Sequence, residues 1–119
     1  MLLFKPEHKP MILSGQKTVT RRFWKRRRAV PGSLHQARLK LFGKPFATLR
    51  ILEVHQEHIG NITDEDVRAE GYESRQEYFK VLREINNASL PALMNKSEFI
   101  ALKVWVVRFK VEEVCDDRQ

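Results

Sequence analysis

The chain is poor in the features that mark several whole classes of protein. It has one cysteine, Cys115, so no internal disulfide can form and stability must come from an apolar core. No run of about 18 apolar residues occurs, which excludes a membrane-spanning helix. The apolar stretch within Met1 to Pro6 is too short for a signal peptide, so a cytoplasmic protein is expected. There is no glycine-rich phosphate loop, no Ser-His-Asp order and no zinc-finger spacing. His55 and His58 stand three apart, but only His8 and His35 remain elsewhere and no motif supplies a third ligand. Neither a metal nor a cofactor is therefore expected. Internal repeats and low-complexity segments are also missing.

What the chain has is a core and a lopsided charge. Its 119 residues, 42% of them hydrophobic, suit one domain. Net charge is +7, yet residues 1–60 hold 13 Lys/Arg against 3 Asp/Glu, a balance of +10, while residues 61–119 hold 9 against 12, a balance of −3. A basic excess confined to one half points to a polyanionic partner such as RNA.

Hydrophobic spacing gives the elements. Leu2-Leu3-Phe4 reads as a first strand, and Met11-Ile12-Leu13 before Gly15 as a short helix with a glycine cap, provided Pro10 lies in its first turn. Thr18 to Phe23 is a β-prone run, and Pro31-Gly32-Ser33 a turn. Leu34 to Phe42 alternates like a half-buried strand. Phe46 to His55 does the same but slips phase at Ile51-Leu52, after which Leu52 and Val54 take the apolar positions, as a bulge would produce. Thr63 with Asp66 and Ser74 with Glu77 open two helices, the first closed by Gly71. The second has one apolar face of Tyr78, Val81, Leu82 and Ile85. Asn86 to Lys96 has no period and reads as a loop. Leu102 to Val111 is a strong strand with Trp105, Val107, Phe109 and Val111 on one face, and the polar residues 113–119 read as a tail. Strands with helices inserted between them imply an α+β barrel with covered edges.

One stretch concentrates chemistry: Gly15-Gln16-Lys17-Thr18-Val19-Thr20-Arg21-Arg22, continued by Phe23-Trp24-Lys25-Arg26-Arg27-Arg28. On a strand Thr20 and Arg22 share a face, and Lys17 can meet Thr20 only from the turn that Gly15 permits. A hydroxyl beside an amine could act as an activated nucleophile, and a guanidinium beside both could bind an anion or a carbonyl. A lysine among arginines is also biased toward losing its proton. The alternative is a polar strand end with exposed side chains.

This stretch resembles the G-x-K-x-x-T-x-R signature of the ASCH family of small PUA-like β-barrels, with Gly15, Lys17, Thr20 and Arg22 at its positions. A helix before the motif, the turn at Gly32-Ser33 (where the family usually has Gly-Asp) and an aromatic final strand extend the resemblance over nearly the whole chain. It implies an α+β fold, a PUA-like β-barrel with inserted helices spanning residues 1–112, that binds RNA or a nucleotide-derived ligand. Some members resemble amidohydrolases of N4-acetylcytidine, and others are linked to cleaving RNA. For an enzyme the resemblance implies Thr20 as nucleophile, Lys17 as its activator and Glu70 as general acid/base, with Gly15 and Arg22 at the ligand. Glu70 also stands at a helix C-terminus, where the dipole favours the protonated form that acid catalysis needs. The chain departs from those amidohydrolases in its basic segment, which replaces an acidic, serine-containing one. Arg21, Arg22, Lys25, Arg26, Arg27 and Arg28 are expected to neutralise phosphates, with Phe23 and Trp24 stacking on unpaired bases.

Overall fold

A computed structural model describes residues 1–85 and 96–115. Its five strands are β1 (Leu2–Leu3), β2 (Val19–Arg22), β3 (Leu34–Arg38), β4 (Ala47–His58) and β5 (Lys103–Val114). They form one sheet in the order β1-β3-β4-β5-β2, parallel at β1/β3 and antiparallel elsewhere. Helix α1 (His8–Leu13) links β1 to β2. A 3-10 turn (Ile59–Asn61) and helices α2 (Asp64–Ala69), α3 (Arg75–Ile85) and α4 (Lys96–Ile100) are inserted between β4 and β5.

The sheet curls strongly. β1 and β2 are its outer strands, yet Arg22 Nη2 on β2 donates to the Leu3 carbonyl on β1 at 2.8 Å. The Arg22 guanidinium also lies 5.0 Å from the centre of the Phe4 ring. The two edges therefore face each other across a seam bridged by a side chain, giving an α+β half-barrel. A bulge helps the bend: Ile51 pairs with Phe109 and Glu53 with Arg108, which leaves Leu52 without a partner across the strand pair. The expected phase slip is there, but Leu52 is 51% exposed instead of apolar-facing, because it is the extra residue.

Local signals are met at the helix ends. Gly15 has φ +84° and its N–H donates to the Ile12 carbonyl; Pro10 is the third residue of α1, where a missing N–H costs no helix bond. Thr63 Oγ1 accepts from the Asp66 N–H at 3.1 Å, and Ser74 Oγ from the Glu77 N–H at 3.1 Å.

Two apolar cores flank the sheet. One fills the curl with Leu2, Phe4, Ile12, Leu49, Ile51 and Phe109; the other joins the inserted helices to the sheet through Ile59, Ile62, Val67, Tyr78, Phe99 and Val104. Each such side chain contributes about 1.5–3 kcal/mol on full burial. β5 serves both cores, so Val104 and Val106 are buried as well as Val107 and Phe109, which corrects the single apolar face expected from alternation. β5 also runs on to Val114, and Cys115 N–H donates to the Phe46 carbonyl, so pairing continues beyond the expected start of the tail. Residues 116–119 lie outside the described residues. β3, expected to reach Phe42, stops at Arg38. There the chain turns, the Gly43 N–H donating to the Lys40 carbonyl and Arg38 Nη1 to the Gly43 carbonyl. The expected loop over residues 86–95 lies outside the described residues, and α4 begins at Lys96.

Candidate functional site

The seam between β1 and β2 encloses a cavity of about 380 Å³. β2 supplies Thr20 and Arg22, the turn after α1 supplies Lys17, α1 itself supplies His8, and the inserted helical segment supplies Glu70 and Tyr78. Lys17 precedes the strand, as its pairing with Thr20 required: its N–H donates to the Met11 carbonyl at 2.9 Å, which holds the segment against α1. Glu70 is the C-cap residue of α2, and Gly71 at φ +99° then turns the chain toward Tyr72.

Lys17 is 3% exposed, and its Nζ donates to the Glu70 carbonyl at 2.7 Å and to Glu70 Oε1 at 3.4 Å. Burial lowers the Lys17 pKa; the Glu70 carboxylate opposes that, and Arg22 and Arg21 add to it. Thr20 Oγ1 accepts from Arg22 Nε at 3.1 Å, which leaves the hydroxyl proton available to another acceptor. Burial also lowers the Arg22 guanidinium to about 10, so it stays charged near neutral pH.

The structure thus brings Lys17, Thr20, Arg22 and Glu70 to one cavity. Gly15 does not line it; this glycine shapes the turn that lets Lys17 reach it. Arg21 departs from expectation. It is 4% exposed, donates from Nη2 to Glu57 at 2.6 Å and to Asp66 at 2.9 Å, and faces Glu70 at 3.5 Å. Three carboxylates hold this guanidinium inside, so it does not belong to the exposed basic run. Phe23 packs, partly buried, against the helical core and Trp24 against the core within the curl, so each ring helps to anchor the chain. Lys25, Arg26, Arg27 and Arg28 are exposed, and none lines the cavity.

Three cavity residues carried no motif signal. His8 is buried, with its pKa lowered to about 4 by burial and by Lys17, Lys5 and Arg22, so its ring is neutral at pH 7. The Tyr72 ring meets His8 edge-on at 5.4 Å, and burial with Glu70 raises its hydroxyl to about 12. Tyr78 was legible only as a core residue. It is 3% exposed, and burial together with the charge of Glu70 and a hydrogen bond to that carboxylate raises its pKa well above the usual value. Its hydroxyl therefore stays protonated at the cavity wall.

The two histidines three apart turn to different neighbours: His58 Nδ1 lies 2.8 Å from the Ala101 carbonyl, and His55 faces Glu53 and Glu57.

Comparison with known proteins finds likeness in structure. No family model matches the chain, and no curated protein matches it in sequence. Among solved structures, protein EF3133 of Enterococcus faecalis, assigned to the family model DUF984, superposes with a TM-score of 0.68 at 16% identity, covering 92% of this chain and 72% of that one. An ASCH domain from Lactobacillus crispatus gives a TM-score of 0.68 at 17% identity, over 86% of this chain and 68% of that one. The hypothetical protein PH0355 gives 0.65 at 17% identity, over 92% and 95%. At these identities the likeness is one of fold.

Proposed function

We propose that this chain, an ASCH-type half-barrel by fold, binds a nucleoside-derived group, free or carried on RNA, in the cavity at its seam. The observation that supports this best is that Lys17, Thr20, Arg22 and Glu70 line one cavity of about 380 Å³. That size lies within the range of small-ligand sites, about 300–1,000 Å³. Leu3, Phe4, Leu39 and Leu82 offer apolar walls to a flat base. The edges of the base meet opposite chemistry: Tyr78 and Arg22 donate, whereas Glu70 accepts, as recognition of a cytosine-like exocyclic N–H beside a carbonyl requires. Lys25, Arg26, Arg27 and Arg28 follow Arg22 after Phe23 and Trp24 and add attraction for phosphates, with a salt dependence of about 0.7 per phosphate contacted on a single strand.

A second reading, hydrolysis, is favoured by one feature, the desolvated Lys17 at the same cavity as a hydroxyl. In that reaction the neutral amine takes the Thr20 proton and Oγ1 bonds to the carbonyl carbon of an N-acyl group. The C–N bond breaks as the leaving nitrogen is protonated, and water then cleaves the acyl ester with Glu70 as base. In the resting geometry the Lys17 amine donates to Glu70 rather than to Thr20, so the reaction also requires the amine to turn.

Calorimetric titration with cytidine and with N4-acetylcytidine, alongside an assay of acetate release, separates these readings. Binding of either nucleoside that is lost in Thr20→Val and Lys17→Met, with the fold intact by circular dichroism, supports the cavity as the site. Acetate release abolished by Thr20→Ala and Lys17→Ala adds catalysis. If the wild-type protein binds neither nucleoside at millimolar concentration, the nucleoside reading falls.

A further inference from the structure

A second recess, of about 330 Å³, lies beside the turn that ends β3, and Leu39 lines both it and the seam cavity. Its charged lining residues are Lys9, Lys40 and Lys44, and the described residues that line it include no carboxylate. The lysines come from two sides. Lys9 reaches in from α1, its ammonium 5.8 Å from the centre of the Phe46 ring, while Lys40 and Lys44 flank the turn. That turn is held in shape by the Gly43 N–H to the Lys40 carbonyl and by Arg38 to the Gly43 carbonyl. At its tip Phe42 is 94% exposed. An aromatic ring so exposed on a turn pinned from behind has no packing role. Three lysines lining one recess whose described lining holds no carboxylate suit an anion, and an exposed ring on the adjoining turn suits the face of a base.

We infer that single-stranded RNA continues from the seam cavity over Leu39 into this recess, with Lys9, Lys40 and Lys44 taking its phosphates and Phe42 stacking on the next base. The inference rests on the reading of the seam cavity as a nucleoside site. It gives the bound strand a direction, toward the turn between β3 and β4. The recess is then the part of the surface that separates a strand from a lone nucleoside.

The test measures two probes side by side, cytidine by calorimetry and a fluorescein-labelled oligouridylate of about twelve nucleotides by anisotropy across a salt series. The variants are Lys40→Ala with Lys44→Ala, Phe42→Ala, and Arg26→Ala with Arg27→Ala and Arg28→Ala; all replace exposed residues. The expected result is that the double lysine variant weakens the oligonucleotide about tenfold and lowers its salt slope by about 1.4, two phosphates' worth. Phe42→Ala should weaken it roughly tenfold with the slope unchanged, and cytidine should bind all variants like the wild type. Oligonucleotide binding that depends on Arg26, Arg27 and Arg28 but is indifferent to Lys40, Lys44 and Phe42 overturns this inference while the nucleoside reading stands. Oligonucleotide binding that depends on Lys40, Lys44 and Phe42, with no cytidine binding, keeps the recess and removes the cavity reading. If Phe42→Ala abolishes sedimentation with phosphatidylserine vesicles and leaves the oligonucleotide untouched, the turn contacts lipid and the inference is overturned.

Discussion

Arg21 and its neighbour Arg22 look alike in the sequence and line the same cavity, but they meet different partners in the fold. Both belong to a run that reads as a basic surface; strand alternation and the signature set Arg22 apart, but nothing local marks Arg21 for burial. Arg21 is drawn inside by Glu57, Asp66 and Glu70, which lie 36 to 49 residues further along the chain. An ion pair decided by such distant partners has no signature in local spacing. Its effect is visible at Asp66: burial pushes that carboxyl up, but hydrogen bonds from Arg108 and Arg21 outweigh burial and hold it below its usual value. His8 shows the converse, a titratable group kept without charge. Its pKa falls from 6.5 to about 4, so on acidification the unfolded chain takes the proton first. The stabilisation from this group is complete above pH 6.5 and is lost as pH falls toward 4, about 3 kcal/mol in all. Urea unfolding of the wild type and of His8→Phe, which keeps a ring against Tyr72, checks this. The variant should lack that part of the decline between pH 6.5 and 4; parallel pH profiles would place the His8 ring in water.

At the scale of elements, the chain ends of the short helices were the most legible, because capping chemistry is local. Gly15, Thr63, Gly71 and Ser74 all act where the sequence put them. β3 was misjudged beyond Arg38 for a related reason: alternation in Leu39 to Phe42 cannot distinguish a paired strand from a turn that exposes its apolar residues. β5 was misjudged on one face because its second set of apolar residues meets helices that join the chain far away in sequence. The signature residues of the site were legible through the ASCH resemblance, whereas the places of His8 and Tyr78 at the cavity were not, since that cavity exists only once separate elements meet. The two helix-closing glycines make a paired prediction. Both hold positive φ, but a Cβ at Gly15 would meet nothing within 4 Å, while one at Gly71 would lie 2.6 Å from Met11 Sδ. Gly15→Ala should cost only backbone strain, about 1 kcal/mol. Gly71→Ala should cost that plus the displacement of Met11, roughly 1–3 kcal/mol more, and should weaken nucleoside binding by moving the adjoining Glu70. Equal unfolding midpoints for the two variants would contradict the packing described at Gly71.

For the whole molecule, the central fact is that its sheet does not close by backbone pairing. β1 has two residues and β2 four, too few to complete a ladder, and the Arg22 side chain bridges them. The opening left between them is the cavity itself, so the device that closes the half-barrel also sets the width of the site. Arg22 holds both edges at once: Nη2 on the Leu3 carbonyl of β1, Nε on Thr20 of its own strand, and its plane against Phe4. Arg22→Met retains most of the apolar stem but removes both donations, each worth about 1.5–3 kcal/mol when the donor is charged. Amide hydrogen exchange should then accelerate in residues 2–4 and 19–22. The long β4/β5 pair, anchored by both cores, should keep its protection. Nucleoside affinity should fall by at least tenfold, because the Thr20 hydroxyl loses the group that orients it and the cavity loses a wall. Should exchange in β1 and β2 remain slow in this variant, the edges are held by something other than Arg22, and closure and site would have to be treated as separate properties of the fold.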